Sequence, residues 1–197
     1  MTNTQNWANK EFVLEKVKQN GRALKYASQE LRNNKEVVLV AVKQDRCALE
    51  YASDQLRNNK EVALEAVKKD GFALRYASKE LRGNKDFMLE AVKQTDYALA
   101  YASEELKGNK DFMLEAVKQS GKALYHASKK LRNDKEVVLE AVKHDGLALE
   151  YASEELQSNT EVFLEAIINN WDAFNCVGSK AGKEIQKLLV NFMSNKK

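Results

Sequence analysis

Two histidines, two cysteines, a ladder of lysines and a column of tyrosines are the side chains whose type and spacing could do chemistry. A nucleophile needs a base within hydrogen-bond reach, and a zinc site needs three or four ligands at fixed spacing. His126 stands alone in a column otherwise held by tyrosine, and His144 in one otherwise held by Gln, Lys or Asn. Neither arrangement can be assembled from these two, and no CxxC, HExxH or phosphate-binding glycine loop occurs. His126 reads as a flanking core substitution and His144 as a solvated side chain. No enzyme activity, cofactor or metal is expected.

Lys18, Lys43, Lys68, Lys93, Lys118 and Lys143 form a ladder that could track phosphates. Glu15, Glu65, Glu90, Glu115 and Glu140 lie three places before five of these lysines. Pairs within a helix therefore account for most of that charge. Tyr26, Tyr51, Tyr76, Tyr101, His126 and Tyr151 recur at a 25-residue interval, each two places before a serine. Such rings could stack nucleobases. Their angle, though, puts them at the rim of an apolar face, with the ring against the next repeat and the hydroxyl at the water edge.

Both columns belong to a 25-residue unit, best displayed by NKEVALEAVKKDGFALRYASKELRG from Asn59 to Gly83, which recurs from Asn9 to about Lys180. A repeat this regular decides the architecture before any local feature does. Asn9, Asn34, Asn59, Asn84, Asn109, Asp134 and Asn159 can each cap a helix start, with Glu or Asp two places later against the positive helix end. Eleven residues on, Asn20, Asp45, Asp70, Thr95, Ser120, Asp145 and Asn170 mark a stop and restart, four of them followed by glycine. Each unit is predicted to be an antiparallel pair of helices of about ten residues. A lone hairpin cannot bury enough apolar surface to fold, so stability must come from stacking on neighbours, with modified repeats at the ends.

The predicted fold is an all-α solenoid of seven short hairpins. Residues 1–8 form a flexible lead. Units follow near 9–33, 34–58, 59–83, 84–108, 109–133, 134–158 and 159–180, and a capping helix and tail occupy 181–197. That last helix rests on Ile185, Leu188, Leu189, Phe192 and Met193 at helical spacing. Lys16, where other units have alanine, fits a first helix with one flank in water.

Net charge is only +3 with 31% charged residues, so partner choice by bulk charge is not expected. There is no proline and no linker-like stretch, which gives no sign of a domain boundary. Cys47 and Cys176 lie too many repeats apart to pair in a linear stack, which suits a reducing compartment. No run approaches the roughly 18 apolar residues of a membrane helix, and MTNTQNWANKEF is no signal peptide. The expected location is the cytoplasm. A leaderless route into another cell would leave no trace in these residues.

The strings EVVLEAVKHDGLALEYASEEL (Glu136 to Leu156) and EVALEAVKKDGFALRYASKEL (Glu61 to Leu81) resemble a family of tandem helical repeats known only as a domain of unknown function, found in proteins of intracellular bacteria and of protists. The AVK, AL and YAS groups recur together at one spacing from about Asn9 to Leu164. The resemblance implies an all-helical repeat, often within larger or secreted bacterial proteins. It brings no established activity, cofactor or catalytic residue.

A binding surface is written where stacking leaves a position free. On the second helix the outward stripe reads Arg22, Lys25, Gln29; Cys47, Glu50, Asp54; Phe72, Arg75, Lys79; Tyr97, Ala100, Glu104; Lys122, Tyr125, Lys129; Leu147, Glu150, Glu154. Its sign alternates from unit to unit, so neighbouring stripes could pair, and no continuous basic track is left for nucleic acid. Phe72, Tyr97, Tyr125 and Leu147 are apolar where the fold does not require it, amid Arg75, Lys79 and Lys122. That is the composition of a protein-binding hot spot. The expected role is a monomeric, non-enzymatic protein-interaction scaffold with an unidentified protein partner and no membrane contact, possible also for a secreted effector. The alternative is nucleic-acid binding through the lysine ladder and the tyrosines.

Overall fold

The computed structural model describes residues 6–176 and Lys187, and among them the chain is all α without strands. The capping helix predicted for 181–197 and the end of the seventh repeat lie outside the described residues, Lys187 apart. The chain forms two compact units, Met1–Ser103 and Glu104–Lys197, a division that no change in composition announces.

Every repeat opens with a ten-residue α-helix. In the first unit these are Lys10–Gln19, Lys35–Gln44, Lys60–Lys69 and Lys85–Gln94. In the second they are Lys110–Gln119, Lys135–His144 and Thr160–Asn169. The expected caps are present: Asn9 Oδ1 accepts from the Phe12 N–H at 2.9 Å, Asn84 from Phe87 at 2.9 Å and Asn109 from Phe112 at 2.9 Å. Each helix then ends at the second cap column in extended backbone, as at Asp70 (φ −167°, ψ 130°). Val37, Val38, Ala41 and Val42, and their counterparts Val137, Val138, Ala141 and Val142, are fully buried.

The second half of the repeat differs from the predicted ten-residue helix. It is a six-residue 3-10 helix, such as Gly71–Tyr76, followed by a four-residue α-turn, such as Lys79–Arg82. Ala77 and Ser78 break the two apart in extended conformation (ψ 155° and 158°). The cause is the recurring serine. Ser78 Oγ accepts from the Leu81 N–H at 3.1 Å, so it starts a new helix where a continuous one would need it inside.

The same serine ties each repeat to the one before. In the first unit the Ser53 and Ser78 N–H groups donate to the carbonyls of Arg32 (2.9 Å) and Arg57 (3.1 Å), while their hydroxyls donate to Oδ1 of Asn33 (2.5 Å) and Asn58 (2.6 Å). In the second unit Ser153 does the same with Arg132 O (2.9 Å) and Asn133 Oδ1 (2.5 Å). A second link runs between helix starts. Lys10 meets Glu36 and Lys35 meets Glu61, each at 2.5 Å, and Lys135 meets Glu161 at 2.6 Å. These pairs are exposed and contribute at most about 1 kcal/mol each, so the buried side chains and the backbone links dominate.

Of the flexible lead expected over 1–8, residues 1–5 lie outside the described residues and Asn6–Ala8 is ordered. Asn6–Ala8 forms a 3-10 turn, and Trp7 packs on Phe12 (5.3 Å) and Tyr26 (5.2 Å). Its carbonyl accepts from the Ser28 N–H at 2.9 Å, the bond that Arg32 makes with Ser53 one repeat later. Trp7 thus makes for the first repeat the bond that the preceding repeat makes for the second. The Lys16 ammonium lies 5.2 Å over the Phe12 ring, on the flank where the later helices bury alanine.

Candidate functional site

The 3-10 segment makes the stripe. With three residues per turn, positions three apart eclipse one another, so Ala73 and Leu74 are buried while Phe72 and Arg75 share an outward row. The row is fixed at its root because Asp70 Oδ1 accepts from the Phe72 N–H at 2.9 Å and Thr95 Oγ1 from the Tyr97 N–H at 3.4 Å. Glycine at 71 lets the next repeat approach closely. A Cβ there would sit 2.6 Å from Thr95 Cγ2 and 3.4 Å from Tyr97 Cβ.

In the first unit the result is an aromatic pair. Phe72 stacks on Tyr97 with centroids 5.7 Å apart and planes at 25°, and meets Tyr101 edge-on at 6.1 Å. Both keep large exposed areas, 45% for Phe72 and 63% for Tyr97. Arg46 lies 6.0 Å from the Phe72 centroid on the side of the preceding repeat. Arg75 and Lys79 are exposed, Arg75 on the row of Phe72 and Lys79 beyond the serine break, off that row.

In the second unit Tyr125 is 60% exposed and meets Tyr151 edge-on at 5.3 Å. Lys122 is exposed, but Leu147 is half-buried. The aliphatic anchor expected at Leu147 is therefore partly withdrawn into the packing between repeats. His126 is half-buried with its ring 4.9 Å from Tyr125. His144 is exposed, yet its Nδ1 accepts from the Gly121 N–H at 3.3 Å, so it also joins two repeats.

Arg22 on the stripe pairs with the cap residue Asp45 at 2.8 Å and not with the next stripe, and Arg46, one place off the stripe, reaches the next cap Asp70 at 2.8 Å. Partial burial pushes the Asp45 carboxyl up, but the Cys47 N–H and Arg22 outweigh it and leave its pKa below the ordinary carboxylate range. Burial pushes the Tyr76 phenol up, and its hydrogen bond with Cys47 adds to that.

Arg75 and Lys79 also line a cleft of about 600 Å³ between the second and third repeats, together with Arg57, Arg82, Asp54 and Glu80. Arg57 and Arg82 were not singled out in the sequence. Their signal is there, since Arg32, Arg57, Arg82 and Arg132 keep the repeat spacing. A single helix through residues 71–82 gives them no reason to face a cleft, and the serine break does. The Glu80 carboxyl is held below its ordinary pKa by its own backbone N–H and by the Ser78 hydroxyl.

The lysine ladder is set otherwise. Lys68 lies 3.6 Å from Glu65, and the two line a hollow of about 290 Å³ with Glu61, Leu64, Glu90 and Gln94. Carboxylates interrupt any path for phosphates there. Among the described residues no three His, Cys, Asp or Glu side chains converge as a metal site requires, and no helix is long and apolar enough to cross a membrane.

A family model described as Domain of unknown function (DUF4116) matches the chain at residues 9–57, 47–82, 59–107, 84–132, 109–157 and 134–180. No curated protein and no solved structure matches the chain.

Proposed function

We propose that this chain, which belongs to the family Domain of unknown function (DUF4116), is a monomeric, non-enzymatic scaffold that binds another protein through the aromatic stripe. The observation that carries this reading is the stacked Phe72–Tyr97 pair, exposed on a segment whose other side is fully buried. Rigid rings whose backbone is already fixed lose little entropy when a partner covers them. Arg75 shares the row of Phe72 in one unit, as Lys122 shares that of Tyr125 in the other, a mixture typical of interface cores rich in aromatics and Arg. The compartment we infer is the cytoplasm, of the producing cell or of a host reached by a leaderless route.

The test is affinity capture from nuclease-treated and untreated lysates, with the wild type and a Phe72→Ala/Tyr97→Ala/Tyr125→Ala variant of verified helicity as baits. A protein held by the wild type after nuclease treatment and lost by the variant supports the scaffold. Capture of nucleic acid alone, or identical capture by both baits, counts against it.

A further inference from the structure

The cleft between the second and third repeats gathers positive charge. Four cations line it, Arg57, Arg75, Lys79 and Arg82, against the two carboxylates of Asp54 and Glu80. The cleft thus carries a net +2, while the whole chain carries only +3. Arg57 is paired with Asp54 three residues before it. Among the described residues no carboxylate is ion-paired with Arg75, Lys79 or Arg82.

Nε of Arg32, Arg57, Arg82 and Arg132 alike is screened from solvent and has no acceptor, which marks the repeat and not this cleft; a carboxylate entering it meets the outer N–H groups of the guanidinium. The volume of about 600 Å³ lies within the range of ligand clefts. Arg75, moreover, is three residues from Phe72 on one 3-10 row, so the cationic wall continues into the Phe72–Tyr97 pair.

We propose that this cleft takes an acidic peptide segment of the partner protein, with its carboxylates on Arg75, Lys79 and Arg82 and an adjacent apolar side chain on Phe72 and Tyr97. This rests on the scaffold reading and names the chemistry of the partner. A cleft of about 600 Å³ has room for a few residues of an extended segment.

The test is fluorescence anisotropy of the whole chain with a fluorescein-labelled Asp-Glu-Phe-Glu-Asp peptide, a Lys-Lys-Phe-Lys-Lys peptide and a single-stranded oligonucleotide of equal charge to the first. Binding of the acidic peptide should exceed that of the basic one by about tenfold or more and fall by a similar factor in Arg75→Glu/Lys79→Glu. Lys18→Glu/Lys93→Glu makes the same change in net charge on exposed residues outside the cleft and should leave binding unchanged. Phe72→Ala/Tyr97→Ala should weaken the Phe-containing peptide but not the same peptide with Ala in its place. Circular dichroism checks that each variant is folded. Equal loss in both charge-reversal variants, or equal affinity for peptide and oligonucleotide, overturns the proposal. If the lysate partner is still lost by the aromatic variant while no acidic peptide distinguishes the cleft variants, the scaffold stands and the acidic-peptide site falls.

Discussion

Removing the Ser78 hydroxyl should cost more than a helix cap. Ser78→Ala deletes the acceptor for the Leu81 N–H (3.1 Å) and the donor to Asn58 Oδ1 (2.6 Å), while the backbone bond to Arg57 O remains. Losing the cap costs about 1 kcal/mol, and losing a hydrogen bond in a half-exposed site costs about 0.5–1.5 kcal/mol. The expected total is about 1.5–2.5 kcal/mol. Ser128 supplies an internal control, because the residue before it in the clasp column is Gly108, which has no side-chain acceptor. Its hydroxyl caps the Leu131 N–H at 3.4 Å, so Ser128→Ala should cost about 1 kcal/mol or less. The assay is urea unfolding followed by circular dichroism, with Asn58→Ala and the Ser78/Asn58 double variant closing a cycle. A coupling energy near zero, or equal losses for Ser78→Ala and Ser128→Ala, would refute the clasp.

Other consequences are equally open to measurement. Gly108→Asn should restore the missing acceptor and raise stability by about 0.5–1.5 kcal/mol in the same assay, since a Cβ at Gly108 meets no atom closer than 3.4 Å. Gly121→Ala should destabilise by about 1–3 kcal/mol, read as a lower Tm, because its Cβ would lie 2.7 Å from the Ala141 carbonyl oxygen. Asp45 and Asp134 both titrate below their ordinary value in the fold; the folded chain then binds fewer protons than the unfolded one. Their contribution is intact above about pH 4 and lost as pH falls through the folded pKa. Asp45→Asn keeps an acceptor for the Cys47 N–H and should flatten part of that acid limb in a Tm-versus-pH series; an unchanged limb would assign the acid sensitivity to other groups.

The repeat, its two Asx-type cap columns and its buried valine and leucine columns were legible because each rests on local chemistry. Asn59 and Asp70 cap whichever helix follows them. The serine break was not legible. Ala48, Leu49, Ala52 and Leu56 fit one α-helical face, and Ser53 is tolerated at its edge. The local cap from Ser53 Oγ to the Leu56 N–H competes with a continuous helix, and the neighbouring repeat, through Arg32 O and Asn33 Oδ1, adds the bonds that favour the break.

The same dependence on neighbours governs the site. Phe72, Tyr97 and Tyr125 are exposed as their stripe implies, because nothing in their own repeat covers them. Leu147 is half-buried although it shares the column of Phe72 and Tyr97, so column position alone does not set exposure. Arg57 and Arg82 line the cleft because the break turns the short helix, which no periodicity in the sequence encodes. Pairing of Arg22 with Asp45 and not with the neighbouring stripe likewise follows from the close approach of a cap to the preceding 3-10 segment.

The measurement that bears most directly on the scaffold is site-specific photo-crosslinking, with a photoreactive phenylalanine at Tyr97, at Tyr125 or, as a control on a long helix, at Lys18. The scaffold predicts that one and the same protein is trapped from positions 97 and 125 after nuclease treatment, and is not trapped from position 18. Equal trapping from all three positions, or trapping of nucleic acid alone, would contradict it.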